Sequence, residues 1–240
     1  MRNSANKCKM SNEATQNSGT TNGLLVVVSS PSGGGKGTLI DRVLKTVPGI
    51  SYSVSFTTRA PRVTEQNGRE YFFVDRSTFD QMIERGEFLE WADVYGQLYG
   101  TRAKQVERER AAGHDIILEI DVQGATSIRR KVSDAVSIFI LPPSYELLRN
   151  RLRARGTDSA EALEKRLRGA PSEVEQYRNF QYVILNDDIN RASHQLASVI
   201  YSERARRERQ ELSLRHVLED FGVSPADLVG TRSSSQGVKE

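Results

Sequence analysis

The stretch of this chain best suited to chemistry is Ser30-Pro31-Ser32-Gly33-Gly34-Gly35-Lys36-Gly37-Thr38. Glycines let successive backbone N–H groups curl around an anion, and the N-terminus of a following helix adds positive potential. Lys36 supplies a point charge suited to the outer phosphates of a nucleotide. Compared with the pattern G-x-x-x-x-G-K-[ST], Ser30 stands where the first glycine belongs and Gly37 where the hydroxyl residue belongs. The hydroxyl falls one place later, so Thr38 is the candidate contact for a metal ion, directly or through water. A flexible glycine linker would show the same composition. It would not normally sit, as this stretch does, between an apolar run and an amphipathic segment.

Arginines form two further groups. In Ser55-Phe56-Thr57-Thr58-Arg59-Ala60-Pro61-Arg62, two arginines lie three apart with a stiffening proline between them, and Tyr71 follows after a Gly68 turn. Guanidinium groups bind phosphate bidentately and a tyrosine hydroxyl can add a hydrogen bond. On physics alone, two arginines near a turn are ordinary solvated charge. Residues 149–168, RNRLRARGTDSAEALEKRLR, are the second group. Their composition suits a solvated helix face or a nucleic-acid surface as well as a phosphate site.

The elements that must position these groups read as alternating strands and helices. Leu24 to Ser29 is a short Val-rich run of the kind found in buried parallel strands. Thr38 to Thr46 carries apolar residues at helical spacing and ends at Pro48-Gly49. Further strands are expected at residues 51–58, Tyr71 to Val74, Asp115 to Ile120, Ser137 to Leu141 and Tyr182 to Leu185. Helices are expected at Thr78 to Arg85, Ala103 to Ala112 and Tyr145 to Ala154, a further helical stretch begins with Ala160 to Leu167, and a long final helix is expected at Ala192 to Arg207. This alternation predicts an α/β domain with a mainly parallel sheet flanked by helices. Ligands bind such sheets at the C-terminal ends of the strands. The glycine loop, Asp121 and Asn186 to Asp188 all lie just after strands.

The whole chain narrows the class. Its 240 residues, 37% hydrophobic and 27% charged, suit one core carrying small subdomains. A net charge of +3 is too mild to argue for nucleic acid. One cysteine, Cys8, gives neither an internal disulfide nor a Cys-rich metal site, which fits a reducing cytoplasm. No apolar run approaches the ~20 residues of a membrane span. Residues 1–22 and 231–240 have the polar composition of disordered tails and lack a secretory h-region.

Set side by side, S-x-T-T-R-x-P-R from Ser55, E-x-N-G-x-x-Y from Glu65, F-L-E-W from Phe88, Tyr99-Gly100-Thr101, Glu119 to Gly124 and Asn186-Asp187-Asp188 resemble the guanylate kinase family. The resemblance runs from about Leu24 to about Arg204. It implies a phosphate-loop nucleoside triphosphate hydrolase-like core (23–54 and 104–230 of a domain spanning 23–230), with a GMP-binding insertion at 55–103 and an Arg-rich lid at 147–170. It implies transfer of the γ-phosphoryl group of ATP to GMP, with dGMP a second acceptor and Mg2+ as cofactor. Ser32, Gly33, Gly34, Gly35, Lys36, Gly37 and Thr38 would hold ATP. Ser55, Arg59, Arg62 and Tyr71 would hold the GMP phosphate with Tyr99 beside them, and Glu90, Thr101 and Asp121 would read guanine. Lys36, Arg59, Arg151, Arg155 and Arg166 would act on the transferring phosphoryl, and Asn186 would support the arginines. The family usually has Asp where Glu119 stands. A kinase for another nucleoside monophosphate, a silent binding module with this fold and an RNA-binding protein remain as alternatives. Glu90, Thr101 and Asp121, suited to guanine donors, argue against the first, the intact loop with Arg151 and Arg155 argues against the second, and the third rests only on the arginine stretch and the pI.

Overall fold

The computed structural model describes residues 22–154, 156 and 159–223. Both expected tails, apart from residue 22, and Arg155 of the expected lid lie outside the described residues. So does the expected domain end at residue 230.

Five strands form one parallel sheet in the order β2-β7-β1-β8-β9: β1 (Leu25–Ser29), β2 (Ile50–Ser53), β7 (Asp115–Glu119), β8 (Val136–Leu141) and β9 (Tyr182–Leu185). The apolar run of β1 is buried on both faces. Val26 and Val28 pack with Leu39, Ile40 and Val43 of α1 (Lys36–Thr46) and Leu196 and Ile200 of α7 (Ile189–Arg204). Leu25 and Val27 pack with Val106 of α3 (Ala103–Ala111) and Ile128 of α4 (Val122–Lys131). A continuous apolar run is what a two-sided core demands, whereas a one-sided strand would alternate. The chain reaches β2 and β7 on one side of β1 and β8 and β9 on the other. The crevice of the sheet therefore opens at the end of β1, where the glycine loop begins.

A second, four-stranded sheet has the order β4-β3-β6-β5: β3 (Phe56–Thr57), β4 (Phe72–Phe73), β5 (Phe88–Val94) and β6 (Gln97–Arg102). With α2 (Arg76–Glu84) it encloses its own small core of Phe79, Met82, Phe88 and Leu98. Opposite, α5 (Tyr145–Ala154) and α6 (Ala160–Glu175) pack through Leu148, Leu152 and Ala170.

Two expectations need correction, one helix was not expected, and one runs on past the segment where it was expected to begin. The strand at 51–58 is broken at Val54–Ser55, and its halves, β2 and β3, serve different sheets. Helix α4 lacks the apolar density that would announce it, because it buries only Gly124, Ala125 and Ile128; its start is fixed by Asp121, which caps Gly124 N–H at 2.9 Å. Helix α6 runs beyond Leu167 and through Pro171 to Glu175. The helix at 192–207 is not the last: α7 stops at Arg204 and α8 (Arg207–Asp220) follows, with Leu214, Val217 and Phe221 exposed. Among the described residues no helix is long and apolar enough to cross a membrane.

Candidate active site

Helix α1 begins with no side-chain cap. Its N-cap is Gly35, held at φ 88°, so the first-turn N–H groups are left for a ligand. Gly33 is also left-handed, at φ 86°. A Cβ on Gly35 would stand 2.5 Å from Nδ2 of Asn186, which is buried and donates to the Gly34 carbonyl at 2.9 Å. Arg151 donates to the same carbonyl and to that of Asn186, both at 3.2 Å. The loop is thus gripped from behind by side chains from α5 and from the end of β9. Lys36 Nζ lies 3.7 Å from Glu119 Oε1, and Tyr52 donates to the other oxygen of that carboxylate at 3.3 Å.

A cavity of about 410 Å³ opens beside this loop, a size usual for small-molecule sites. Ser32 to Thr38 line one end. Ser55, Arg59, Arg62, Tyr71 and Tyr99 enter from the second-sheet unit, Glu90, Glu119 and Asp121 from the floor, and Lys165, Arg166 and Glu173 from α6. The structure therefore brings together every expected site residue except three. Thr101 stands behind Glu90, fully buried, and Arg151 touches the back of the loop rather than the cavity wall. Arg155 lies outside the described residues.

The arginines are preorganised. Glu65 accepts from Arg59 Nη2 at 2.9 Å through each of its oxygens and contacts Arg62 Nη1 at 3.4 Å, so one carboxylate aligns both cations. The Arg59 guanidinium lies 5.4 Å from the centre of the Tyr71 ring, which meets Tyr99 edge-on at 5.7 Å. Burial pushes the Tyr71 hydroxyl well above its ordinary value, so it stays protonated and able to donate.

The floor is electrostatically unusual. Glu90 is 3% exposed and accepts from the Thr101 hydroxyl at 2.6 Å. Burial, reinforced by Asp121, pushes its carboxyl up to about 7. Burial also raises the carboxyl of Asp121. Gly124, at the start of α4, leaves room for both: a Cβ there would lie 2.5 Å from Glu90 Oε2 and 3.2 Å from Asp121 Oδ1. Two carboxyls at the end of a cavity, one of them buried and held above the ordinary carboxylate range, form an acceptor pair. A ligand with adjacent N–H groups would complete it.

Sequence reasoning gave no role to three residues here. Glu65 lay inside a quoted motif, which by itself assigns it no partner. Tyr95 and Glu173 meet only in the folded chain, 78 positions apart, through a hydrogen bond of 2.7 Å. Tyr95 did leave one signal: an aromatic residue before Gly96 where a tight hairpin turn favours asparagine or aspartate.

An uncapped helix start and glycine loop at the switch point of a parallel sheet, facing a second cationic pocket, define a phosphate-loop α/β nucleotide-binding protein. The family model described as guanylate kinase matches residues 22–203, and the chain belongs to that family. It is 51% identical over 192 residues to a guanylate kinase of Myxococcus xanthus, covering 80% of this chain and 92% of that one. It is 47% identical over 201 residues to a guanylate kinase of Symbiobacterium thermophilum, covering 84% and 95%. The crystal structure of guanylate kinase from Anaplasma phagocytophilum matches with a TM-score of 0.71 at 35% identity, covering 85% of this chain and 98% of that one.

Proposed function

We propose that this guanylate kinase transfers the γ-phosphoryl group of ATP to the phosphate oxygen of GMP, giving ADP and GDP, in the cytoplasm and without nucleic acid or membrane as partner. The carrying observation is one cavity that holds a phosphate loop, a separate arginine–tyrosine pocket and, at its floor, the carboxyls of Glu90 and Asp121. Ser32 to Thr38 bind ATP, with Lys36 neutralising its outer phosphates. Ser55, Arg59, Arg62, Tyr71 and Tyr99 bind the phosphate of GMP. Glu90, backed by Thr101, and Asp121 accept from guanine N1–H and its exocyclic amine. Adenine lacks that donor pair and would leave the carboxyls unpaired, a strong basis for rejection.

In the transfer, an ionised oxygen of the GMP phosphate attacks the γ-phosphorus, and the bond to the bridging oxygen of ADP breaks. The attacking oxygen is ionised near neutral pH, so no side chain is needed as base. Positioning and charge stabilisation supply the rate. Arg59 orients the acceptor, and Arg166, which donates to the Ser32 hydroxyl at 3.2 Å, reaches between the loop and α6. Arg151 acts through the loop geometry it supports, and Arg155 belongs to the same Arg-rich lid.

The donor set fits Mg2+. Among the described residues no group of three or more His, Cys, Asp or Glu side chains is gathered to cage an ion. Mg2+ in kinase sites is typically held by nucleotide phosphates with one or two protein ligands. Thr38 borders the cavity as the candidate protein oxygen, directly or through water. When bound, Mg2+ neutralises charge on the transferred phosphoryl.

The test is ADP formation by the purified chain with ATP, Mg2+ and GMP, dGMP, AMP or UMP in turn. Turnover confined to the guanine nucleotides is expected; equal turnover with AMP would refute the base reading, and none with any acceptor would refute the kinase.

A further inference from the structure

The β5–β6 hairpin turns on two residues, Tyr95 and Gly96, both with positive φ, at 57° and 87°. Such turns favour Asn-Gly or Asp-Gly, since left-handed backbone is unfavourable for a bulky side chain. Tyr95 is the one non-glycine residue with positive φ among the described residues. A strained position is maintained when the surroundings over-determine it, and here the side chain is held from several directions. Its hydroxyl donates to Glu173 Oε1 at 2.7 Å, and Lys165 Nζ and the Arg166 guanidinium lie 5.5 and 5.9 Å from its ring centre. Gly169 of α6 makes room for it: a Cβ there would stand 2.6 Å from the Tyr95 oxygen.

Glu173 does not stop at Tyr95. Its other oxygen accepts from the backbone N–H of Ser32 at 2.8 Å, in the phosphate loop. One carboxylate of α6 therefore joins the tip of the second-sheet unit to the loop, while Arg166 holds the hydroxyl of the same serine. The catalytic scheme above uses neither Tyr95 nor Glu173.

We propose that Glu173 is a positioning residue that couples closure of the second-sheet unit over GMP to the geometry of the ATP phosphate loop, with Tyr95 as the arm that reports closure. The proposal rests on the kinase reading and adds a linkage between its two substrates. When the hairpin tip docks on α6, Glu173 is held in the position from which it fixes Ser32, so each nucleotide favours the arrangement the other needs. By reciprocity, ATP must then tighten GMP by the factor with which GMP tightens ATP.

The experiment measures the dissociation constant of GMP with and without a non-hydrolysable ATP analogue and Mg2+. It uses the full chain and its Tyr95→Phe, Glu173→Ala, doubly substituted and Tyr95→Asn variants. In the unsubstituted chain the analogue is expected to tighten GMP by about 5-fold or more, within the usual range of such couplings. Each single variant should bring that ratio close to one, and the double variant should lose no more than Glu173→Ala alone, because both residues act in one relay. Tyr95→Asn separates coupling from folding: asparagine suits the turn, so the melting temperature should hold or rise while the ratio is lost. Full tightening in Tyr95→Phe, independent losses that add in the double variant, or no tightening in the unsubstituted chain would each overturn the proposal. A chain that fails to form ADP with GMP at all would defeat the kinase reading and this inference with it. Normal turnover without linkage would defeat the inference alone.

Discussion

In the proposed reading, the two ends of the cavity recognise their ligands by different means. The proposed donor end would bind through backbone: Gly33 and Gly35 in left-handed conformation, an uncapped helix start, and Lys36. The acceptor end would bind through side chains from separate elements. Glu90 comes from β5, Thr101 from β6 and Asp121 from the cap of α4, with Arg59 and Arg62 aligned by Glu65 in the loop after β3. A backbone cradle costs the fold little, because its N–H groups are orphaned at a helix start anyway. A buried carboxyl such as that of Glu90 is costly, because burial penalises its charged form. Recognition of phosphate, common to all nucleotides, is thus the inexpensive part. Discrimination between bases carries a stability penalty.

The strongest way to break this comparison is at the donor end. Lys36→Ala removes the loop's own cation from the cradle and should lower kcat on the order of 10²–10³-fold, the usual loss for a preorganised electrostatic contact. Its partner Glu119 has a side chain 20% exposed and also accepts from Tyr52, so the melting temperature should barely move. A large loss of stability would mean that Lys36 belongs to the fold rather than to the chemistry.

Glu90→Gln probes the opposite end, and the signs of its effects differ. Loss of a charged acceptor for two guanine donors should reduce kcat/KM for GMP by about 10–100-fold, in proportion to a lost charge-assisted hydrogen bond. Stability should move the other way. A carboxyl raised from 4.5 to about 7 binds its proton more tightly in the folded chain. Its favourable contribution is complete below 4.5 and is lost as pH rises through about 7, leaving a buried charge to be tolerated above that. The neutral amide carries no such cost, so the variant should be more stable by about 3 kcal/mol at pH 8 and show no gain at pH 4. Denaturant titration at the two pH values checks this. Equal stability at both would mean that Glu90 is not held in the way its burial implies.

The same contrast explains what was legible in the sequence. The donor end is local: strand, glycines, lysine and helix follow one another, so composition and order predict both structure and chemistry. The acceptor end is assembled across the second sheet, and no spacing rule connects Glu90 with Asp121 or Arg59 with Tyr71. Those residues became visible only through the family resemblance. The parallel sheet was legible because β1, β7, β8 and β9 are continuous apolar runs. The break between β2 and β3 was not, because alternation continues across Val54–Ser55 while the chain changes sheets. Helix α4 was missed because its inner face is largely small residues. Glu173 was missed because a carboxylate in a charged helix carries no mark of its tertiary partners.

Gly124→Ala sharpens the comparison at smaller scale. The added Cβ would sit 2.5 Å from Glu90 Oε2, so the carboxylate must move. A rise of about 10-fold in KM for GMP is expected, as for one displaced hydrogen-bonding group, with KM for ATP unchanged. An equal effect on both substrates would place the damage in the helix rather than in base recognition.

Thr101→Val should have the smallest effect and the most specific signature. The two side chains have nearly the same shape, and Thr101 is fully buried, so what is lost is chiefly the hydrogen bond to Glu90 at 2.6 Å. That bond favours the ionised carboxylate and partly offsets the effect of burial. Without it the carboxyl should titrate above its present value of about 7, so more of the protein would be protonated and poor at accepting from guanine at neutral pH. The expected result is a rise of a few-fold in KM for GMP at pH 7, on the order of one neutral hydrogen bond. The rise should shrink at pH 9, with the acid limb of the kcat/KM profile displaced to higher pH. A defect of the same size at every pH would mean that Thr101 contacts the base directly, rather than through the charge on Glu90.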